Sequence, residues 1–246
     1  MIANSFDLLE ALKEAGYLHT TRDPLWWPHS GTQSVVIGAI LTQQTKWERV
    51  EESLAALDAE GLGSLQALAG AEMEQVVMCI KPSGFYNTKA QRLMQLARNI
   101  LADFNDFETF QQEVDRAWLL AQKGIGMESA DSILCYACHR PVMVVDSYTA
   151  RLLDALGYTF DNYMQIQAWI EEGIEAHWEK VCQLYGYDIP PAILYARFHG
   201  KIVEFAKGYI RGKRVDISTQ MMHEDHKNSM ECACAVGVYK EFEVNP

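Results

Sequence analysis

The sequence contains no run of about 18 consecutive apolar residues, the length a membrane-spanning helix needs. Its first residues, Met1-Ile2-Ala3-Asn4-Ser5-Phe6-Asp7, offer neither a basic stretch nor an apolar one, so no secretory signal is expected. Cysteine is sparse: Cys79, Cys135, Cys138, Cys182, Cys232 and Cys234 are scattered and form no disulfide framework, which suits a reducing cytoplasm. Positive charge is scarce too. With 21 Lys and Arg against 33 Asp and Glu the net charge is −12, which argues against a protein that coats nucleic acid. Such coating draws its affinity from displacing counterions around phosphates. No internal repeat occurs, and no strand pattern is convincing before the tail.

What is present is a chain of 246 residues, 49% hydrophobic, long enough for one or two sizeable cores. The basic residues are unevenly spread, with Lys81, Lys89, Arg92 and Arg98 on one segment, Lys123 alone, and Lys201, Lys207, Arg211, Lys213 and Arg214 clustered late. They fit either a local DNA-facing surface or ordinary solvated faces.

Apolar spacing predicts helices along almost the whole chain. The first is Phe6-Leu8-Leu9-Leu12, capped by Asn4 or Ser5. The loop Asp23-Pro24-Leu25-Trp26-Trp27-Pro28 follows, since each proline bars helix at the residue before it. Val35 to Leu41 is apolar all round, the pattern of a buried helix. Further helices are predicted through Val50-Leu57, Met73-Ile80, Lys89-Asp103, Phe107-Val114, Tyr148-Leu156, Tyr163-Trp178 and Ala192-Ala206. Beyond about Arg214 the composition changes. His223-x-x-His226 followed by Cys232-x-Cys234 invites a zinc reading, but the spacing matches no usual site and no metal is expected.

Leu119-Leu120-Ala121-Gln122-Lys123-Gly124-Ile125-Gly126-Met127-Glu128-Ser129-Ala130 reads as helix, tight Gly-x-Gly turn and second helix. Glycine permits positive φ in such a turn and bares backbone N–H groups at a helix start, which suits a phosphate. Asp146 follows twenty residues after Gly126. This resembles the helix-hairpin-helix motif and catalytic aspartate of the endonuclease III superfamily of DNA glycosylases. The resemblance covers about residues 5 to 207. Within it the chain is most similar to the bacterial 3-methyladenine DNA glycosylases of the third type. The motifs that carry it are Trp26-Trp27-Pro28, Leu41-Thr42-Gln43, Lys81-Pro82-Ser83-Gly84-Phe85-Tyr86-Asn87, Gly124 to Asp131, and Leu194 to Lys201.

The resemblance implies an all-α fold of two helical domains with a cleft between them. Residues 28–140 form the hairpin domain, 1–27 plus 141–214 the domain carrying Asp146, and 215–246 the tail. It implies monofunctional excision of alkylated purines from double-stranded DNA. Bifunctional relatives have a lysine two residues after the second hairpin glycine, where this chain has Glu128, which cannot form an imine. Endonuclease III holds an iron–sulfur cluster on four C-terminal cysteines, whereas this tail has two, so no cluster and no other cofactor are expected. The implied DNA contacts are Gln43 and Gln44, one entering the gap left by the flipped base, and Lys123, Gly124, Ile125 and Gly126.

A carboxylate beside the sugar stabilises the positive charge that builds as an N-glycosidic bond breaks, or deprotonates water. Asp146 precedes a helix, so capping and catalysis are both open to it. An alkylated purine is cationic, and electron-rich rings select it by cation–π stacking. The resemblance places Trp26, Trp27, Pro28 and Trp47 around the base. Core packing is the alternative for each tryptophan, and Trp118, Trp169 and Trp178 are left to it. His199 and Lys201 sit on an apolar helix, where a hydrogen-bonded pair between the domains or, for Lys201, a place in the pocket are both open. Cys135 and Cys138 read as small core residues. The expected setting is a bacterial cytoplasm and the expected state a monomer. A mismatch-specific adenine or thymine glycosylase and a non-catalytic helix-hairpin-helix DNA-binding module are the alternatives.

Overall fold

The computed structural model describes residues 2–18, 25–211 and 214–215, and they are helical almost throughout. In chain order the helices are α1 (Ser5–Glu14), α2 (Gln33–Leu41), α3 (Trp47–Ala59), α4 (Leu65–Gly70), α5 (Met73–Ile80), α6 (Tyr86–Phe104) and α7 (Phe107–Glu113). They continue as α8 (Arg116–Ala121), α9 (Met127–Ser132), α10 (Ser147–Ala155), α11 (Tyr163–Glu175), α12 (Trp178–Tyr185) and α13 (Pro191–Tyr209).

Short polar side chains start many of them by accepting an otherwise unpaired N–H of the first turn: Asn4, Ser64, Asp106, Asp115, Asp146 and Asn162 each cap this way. Helix α2 is buried from Val35 to Leu41, as its unbroken apolar run predicts. Burying each of its larger aliphatic side chains contributes roughly 1.5–3 kcal/mol.

Two clusters of buried side chains form. One gathers Trp27 and residues of α2 to α9, with Val144 and Ala196. The other gathers α1 with α10 to α13, together with Met143 and Val145. The extended segment before α10 runs between them, and its alternating side chains serve both: Met143 and Val145 point one way, Val144 the other. Asp146 therefore emerges where the two cores meet.

Buried polar groups pin this segment to the hairpin. Asp131 on α9 is fully buried, and its Oδ2 accepts from Arg116 (2.6 Å), the Tyr163 hydroxyl (2.6 Å) and Gln167 (2.9 Å). Tyr163 also accepts from the Val145 N–H at 3.2 Å, and Gln167 donates to the Met143 carbonyl at 2.7 Å.

Several expectations are corrected. The predicted helix from Tyr163 to Trp178 is two helices, because the His177 ring takes the Gly173 carbonyl at 2.8 Å and a new helix starts at Trp178. Helix α4, capped by Ser64, is too short for its apolar spacing to stand out. After α9 the chain widens into a π-turn at Ile133–Ala137. A two-residue hairpin, β1 (Ile210–Arg211) with β2 (Arg214–Val215), follows α13; apart from this ribbon the described residues keep to the expected all-α fold. Asp23-Pro24 and the tail beyond Val215, with His223, His226, Cys232 and Cys234, lie outside the described residues.

Candidate active site

A cleft of about 770 Å³ opens where the two cores meet. Trp26, Trp27, Pro28, Gln43, Gln44, Trp47, Glu128, Asp146 and His199 are among its walls. Most of the residues singled out in the sequence thus come together.

The walls are aromatic. Trp27 is 6% exposed, lies 5.6 Å edge-on to Trp47 and 5.3 Å from Tyr136, and belongs to the core, with one edge reaching the cleft. Trp26 is seated by α13: a Cβ on Gly200 would stand 2.4 Å from the Trp26 Cβ, so only glycine allows the approach. One turn on, Glu204 accepts from the indole N–H at 2.7 Å, and Lys207 lies 5.3 Å over the ring. The spacing Gly200, Glu204, Lys207 on one helix face is the sequence signal for this seat.

Asp146 caps α10. Its Oδ1 accepts from the Thr149 N–H (2.8 Å) and the Thr149 hydroxyl (2.9 Å). Its Oδ2 stands 3.6 Å from His199 Nε2, with the carboxyl side chain 14% exposed. Burial pushes the acid upward, but His199 and Thr149 outweigh it and hold the carboxyl below its ordinary value. The group is an anion at neutral pH. Glu128 presents surface to solvent while its carboxyl faces the cleft; desolvation there, then the charge of Asp146, push it up.

Gln43 and Gln44 part company. Gln43 donates to the Gly124 carbonyl and to Ser129 Oγ, both at 3.0 Å, so its amide ties the end of α2 to the hairpin instead of facing outward. Gln44 is exposed and left-handed (φ 54°). Of the two hairpin glycines only Gly124 has positive φ (+86°), and Arg92 crosses so closely that a Cβ would meet its Nε at 2.4 Å. Gly126 is extended at the start of α9, with open space where a Cβ would be. Ile125 is buried and anchors the turn, while Lys123 is exposed.

Lys201 is not at the cleft. Two residues along a helix turn the side chain about 200°, so His199 faces Asp146 while the fully buried Lys201 donates to the carbonyls of Tyr17 and Leu18. Cys135 is buried and Cys138 half-buried, and desolvation pushes both thiols up, Cys138 to about 12. Trp118, Trp169 and Trp178 are not among the cleft's walls.

Sequence reasoning assigned no role to Phe85, which is 68% exposed with φ 46° and shares a small groove with Gln44 and Arg92. Lys89, grouped by the sequence with the basic residues of a DNA-facing or solvated face, is instead buried. That buried ammonium donates to the Leu41 carbonyl (2.7 Å), Thr45 Oγ1 (2.7 Å) and the Ser83 carbonyl (2.8 Å), fastening together the turns that carry Gln44 and Phe85.

Among the described residues no group of three or more His, Cys, Asp or Glu could hold a metal, and no helix is long and apolar enough to cross a membrane. Beyond Cys182 the sequence has Cys232 and Cys234, which lie outside the described residues, against the four C-terminal cysteines of an endonuclease III cluster.

Known proteins share this architecture. The chain is 45% identical to a crystal structure of the Helicobacter pylori 3-methyladenine DNA glycosylase bound to 1,N6-ethenoadenine, with a TM-score of 0.79 over 85% of this chain and 99% of that one. A putative DNA repair glycosylase of Methanocaldococcus jannaschii is 34% identical over 194 residues, covering 76% of this chain and 82% of the relative. A non-covalent endonuclease III–DNA complex has a TM-score of 0.64 at 17% identity over 85% of this chain and 87% of that one, which is a likeness of fold. The family model for the HhH-GPD superfamily of base excision DNA repair proteins matches residues 37–176, and with the aromatic cleft, the hairpin and the capped aspartate in place, the chain belongs to that superfamily of DNA glycosylases.

Proposed function

We propose that this protein excises alkylated purines of the 3-methyladenine type from double-stranded DNA by hydrolysing the N-glycosidic bond, and does not cleave the strand. One observation carries the reading: an ionised, doubly fastened carboxylate, Asp146, stands in a cleft walled by Trp26, Trp27 and Trp47. An N-alkylated purine is cationic and a good leaving group, so the site needs no strong general acid. It needs rings that favour a cation and a fixed negative charge for the sugar as the bond breaks. Lysis of the strand needs an amine at the sugar, and Glu128 occupies the place of the amine on α9.

Two left-handed side chains on one rim, Gln44 and Phe85, are the groups that enter the stack when the damaged nucleotide leaves it. An exposed aromatic side chain is suited to such insertion. Lys123 and the hairpin backbone hold phosphate. The two apolar clusters support a division into a domain of residues 28–140, whose core Trp27 joins, and a domain of 1–27 with 141–214. The state we propose is a monomer.

The test is chromatography of what is released from a methylated duplex, with borohydride present in a parallel reaction. Free 3-methyladenine, intact strands and no trapped adduct are expected. Base release only from mismatched duplex overturns the substrate, binding without release overturns catalysis, and a covalent adduct through Lys46, Lys123 or Lys207 overturns the monofunctional reading.

A further inference from the structure

His199 is 3% exposed and buried at the back of the cleft. Its Nδ1 is 2.7 Å from the Tyr136 hydroxyl, which also lies 3.0 Å from the Ala196 carbonyl. Its Nε2 makes no hydrogen bond and is directed at Asp146 Oδ2 across 3.6 Å. Tyr136 has one hydrogen to give. Given to His199, it leaves a neutral ring with the proton on Nε2. Given to Ala196, whose carbonyl can only accept, it makes Nδ1 the donor to Tyr136. That second arrangement turns an Nε2 lone pair of a neutral ring toward a carboxylate oxygen 3.6 Å away, acceptor against acceptor, so the first, which aims an N–H at Asp146, is the favoured one.

We propose that His199 is the positioning residue for Asp146: held by Tyr136, its Nε2–H fixes Oδ2 while Thr149 fixes Oδ1, and one lone pair is left for the reaction. The count is direct. A carboxylate has about four acceptor sites. Thr149 takes two on Oδ1, and His199 Nε2, 3.6 Å away, is the donor aimed at one on Oδ2. The remaining Oδ2 site faces the cleft, where it can receive a water proton or stand beside the charged sugar. Trp26 closes the arrangement by packing edge-on to the His199 ring at 5.4 Å, so the wall that holds the base also holds the histidine.

The groups that bear on this pair from the surrounding elements are Tyr136, Glu128 on α9, and Glu204 and Lys207 on α13. Tyr136 keeps its proton, since complete burial pushes the phenol far upward. The charge of Asp146 opposes ionisation of Glu128, while His199 favours the ionised form of both carboxyls.

The inference rests on the proposed reading of Asp146 as the reacting carboxylate, so its test has one measurement that needs no substrate. In the DNA-free protein, carbon-detected NMR follows the Asp146 carboxyl against pH in wild type, His199→Leu and His199→Gln. The leucine variant is expected to titrate about one pH unit or more higher, and the glutamine variant, whose amide N–H can reach the same oxygen, close to wild type. In single-turnover base release His199→Leu is expected to be roughly 10–100-fold slower with its acid limb moved to higher pH. His199→Gln should recover most of the rate, and binding to abasic DNA should be unchanged in both. A merely structural histidine would lower stability without moving the carboxyl titration or the acid limb. An Asp146 titration unchanged in His199→Leu overturns the proposal, and if that variant does not fold, a folded His199→Gln in which Asp146 titrates at the ordinary carboxylate value does the same. Absence of any base release by wild type overturns the proposed function and leaves the NMR result to decide the pairing.

Discussion

The Tyr163 hydroxyl donates to Asp131 Oδ2 at 2.6 Å and accepts from the Val145 N–H at 3.2 Å, joining the hairpin's second helix to the residue before Asp146. The group that would hold phosphate and the group that would act on the sugar are thereby set at a fixed distance. Tyr163→Phe removes both bonds and leaves the Val145 N–H without this partner. It is expected to cost about 1–3 kcal/mol of stability in denaturant unfolding, the usual penalty for stranding a buried polar group. Base release should fall more than binding to abasic DNA does. Unchanged stability would show that water replaces the hydroxyl there.

Lys89 gives a pH dependence with a definite sign. Burial pulls its ammonium down from the ordinary 10.5 to about 8. The folded protein releases that proton near pH 8, while the unfolded chain keeps it until near 10.5. Between those values the unfolded chain binds more protons, so this group makes stability rise with pH. The stability of wild type relative to Lys89→Met should therefore increase between pH 7.5 and pH 10, measured by denaturant midpoint. A flat or falling difference contradicts the assignment. Because Lys89 fastens the turns bearing Gln44 and Phe85, the methionine variant should also bind duplex more weakly at pH 7.5.

Much of this was legible in the sequence, for identifiable reasons. The hairpin and Asp146 are close in the chain, and their spacing survives folding. Caps at Asn4 and Asp146 are local too, as is the buried run of α2. What was not legible depends on which way a side chain points across the two cores. His199 and Lys201 are two residues apart on one apolar helix, and only the packing of α13 decides that the histidine faces the cleft. Gln43 and Gln44 differ because one turn residue adopts positive φ. Lys89 reads as a surface cation, yet three acceptors from two distant turns converge on it. The break at His177 comes from a ring bonding to a carbonyl in the preceding turn, which apolar periodicity does not register.

Trp47 tests recognition. Trp47→Ala should lose ~1–3 kcal/mol of stacking, the usual worth of one base–aromatic contact. The loss should appear in release of 3-methylated purine, while binding to an abasic-site analogue, which has no base to stack, changes much less. Trp47 also packs at 5.6 Å on Trp27, so equal loss in both assays would make it a packing residue.

The central claim is that the Asp146 carboxylate stabilises the charge that develops on the sugar. Asn in its place keeps an oxygen to cap α10 through Thr149, while it removes the negative charge and the acceptor that faces His199. Single-turnover release of 3-methyladenine by Asp146→Asn is the most direct measurement, made beside its thermal unfolding and its affinity for abasic DNA. The expected result is a rate lower by on the order of 10²–10⁴-fold, with unfolding and DNA affinity close to wild type. Release within a few-fold of wild type would contradict the account, because the cleft would then work without its carboxylate.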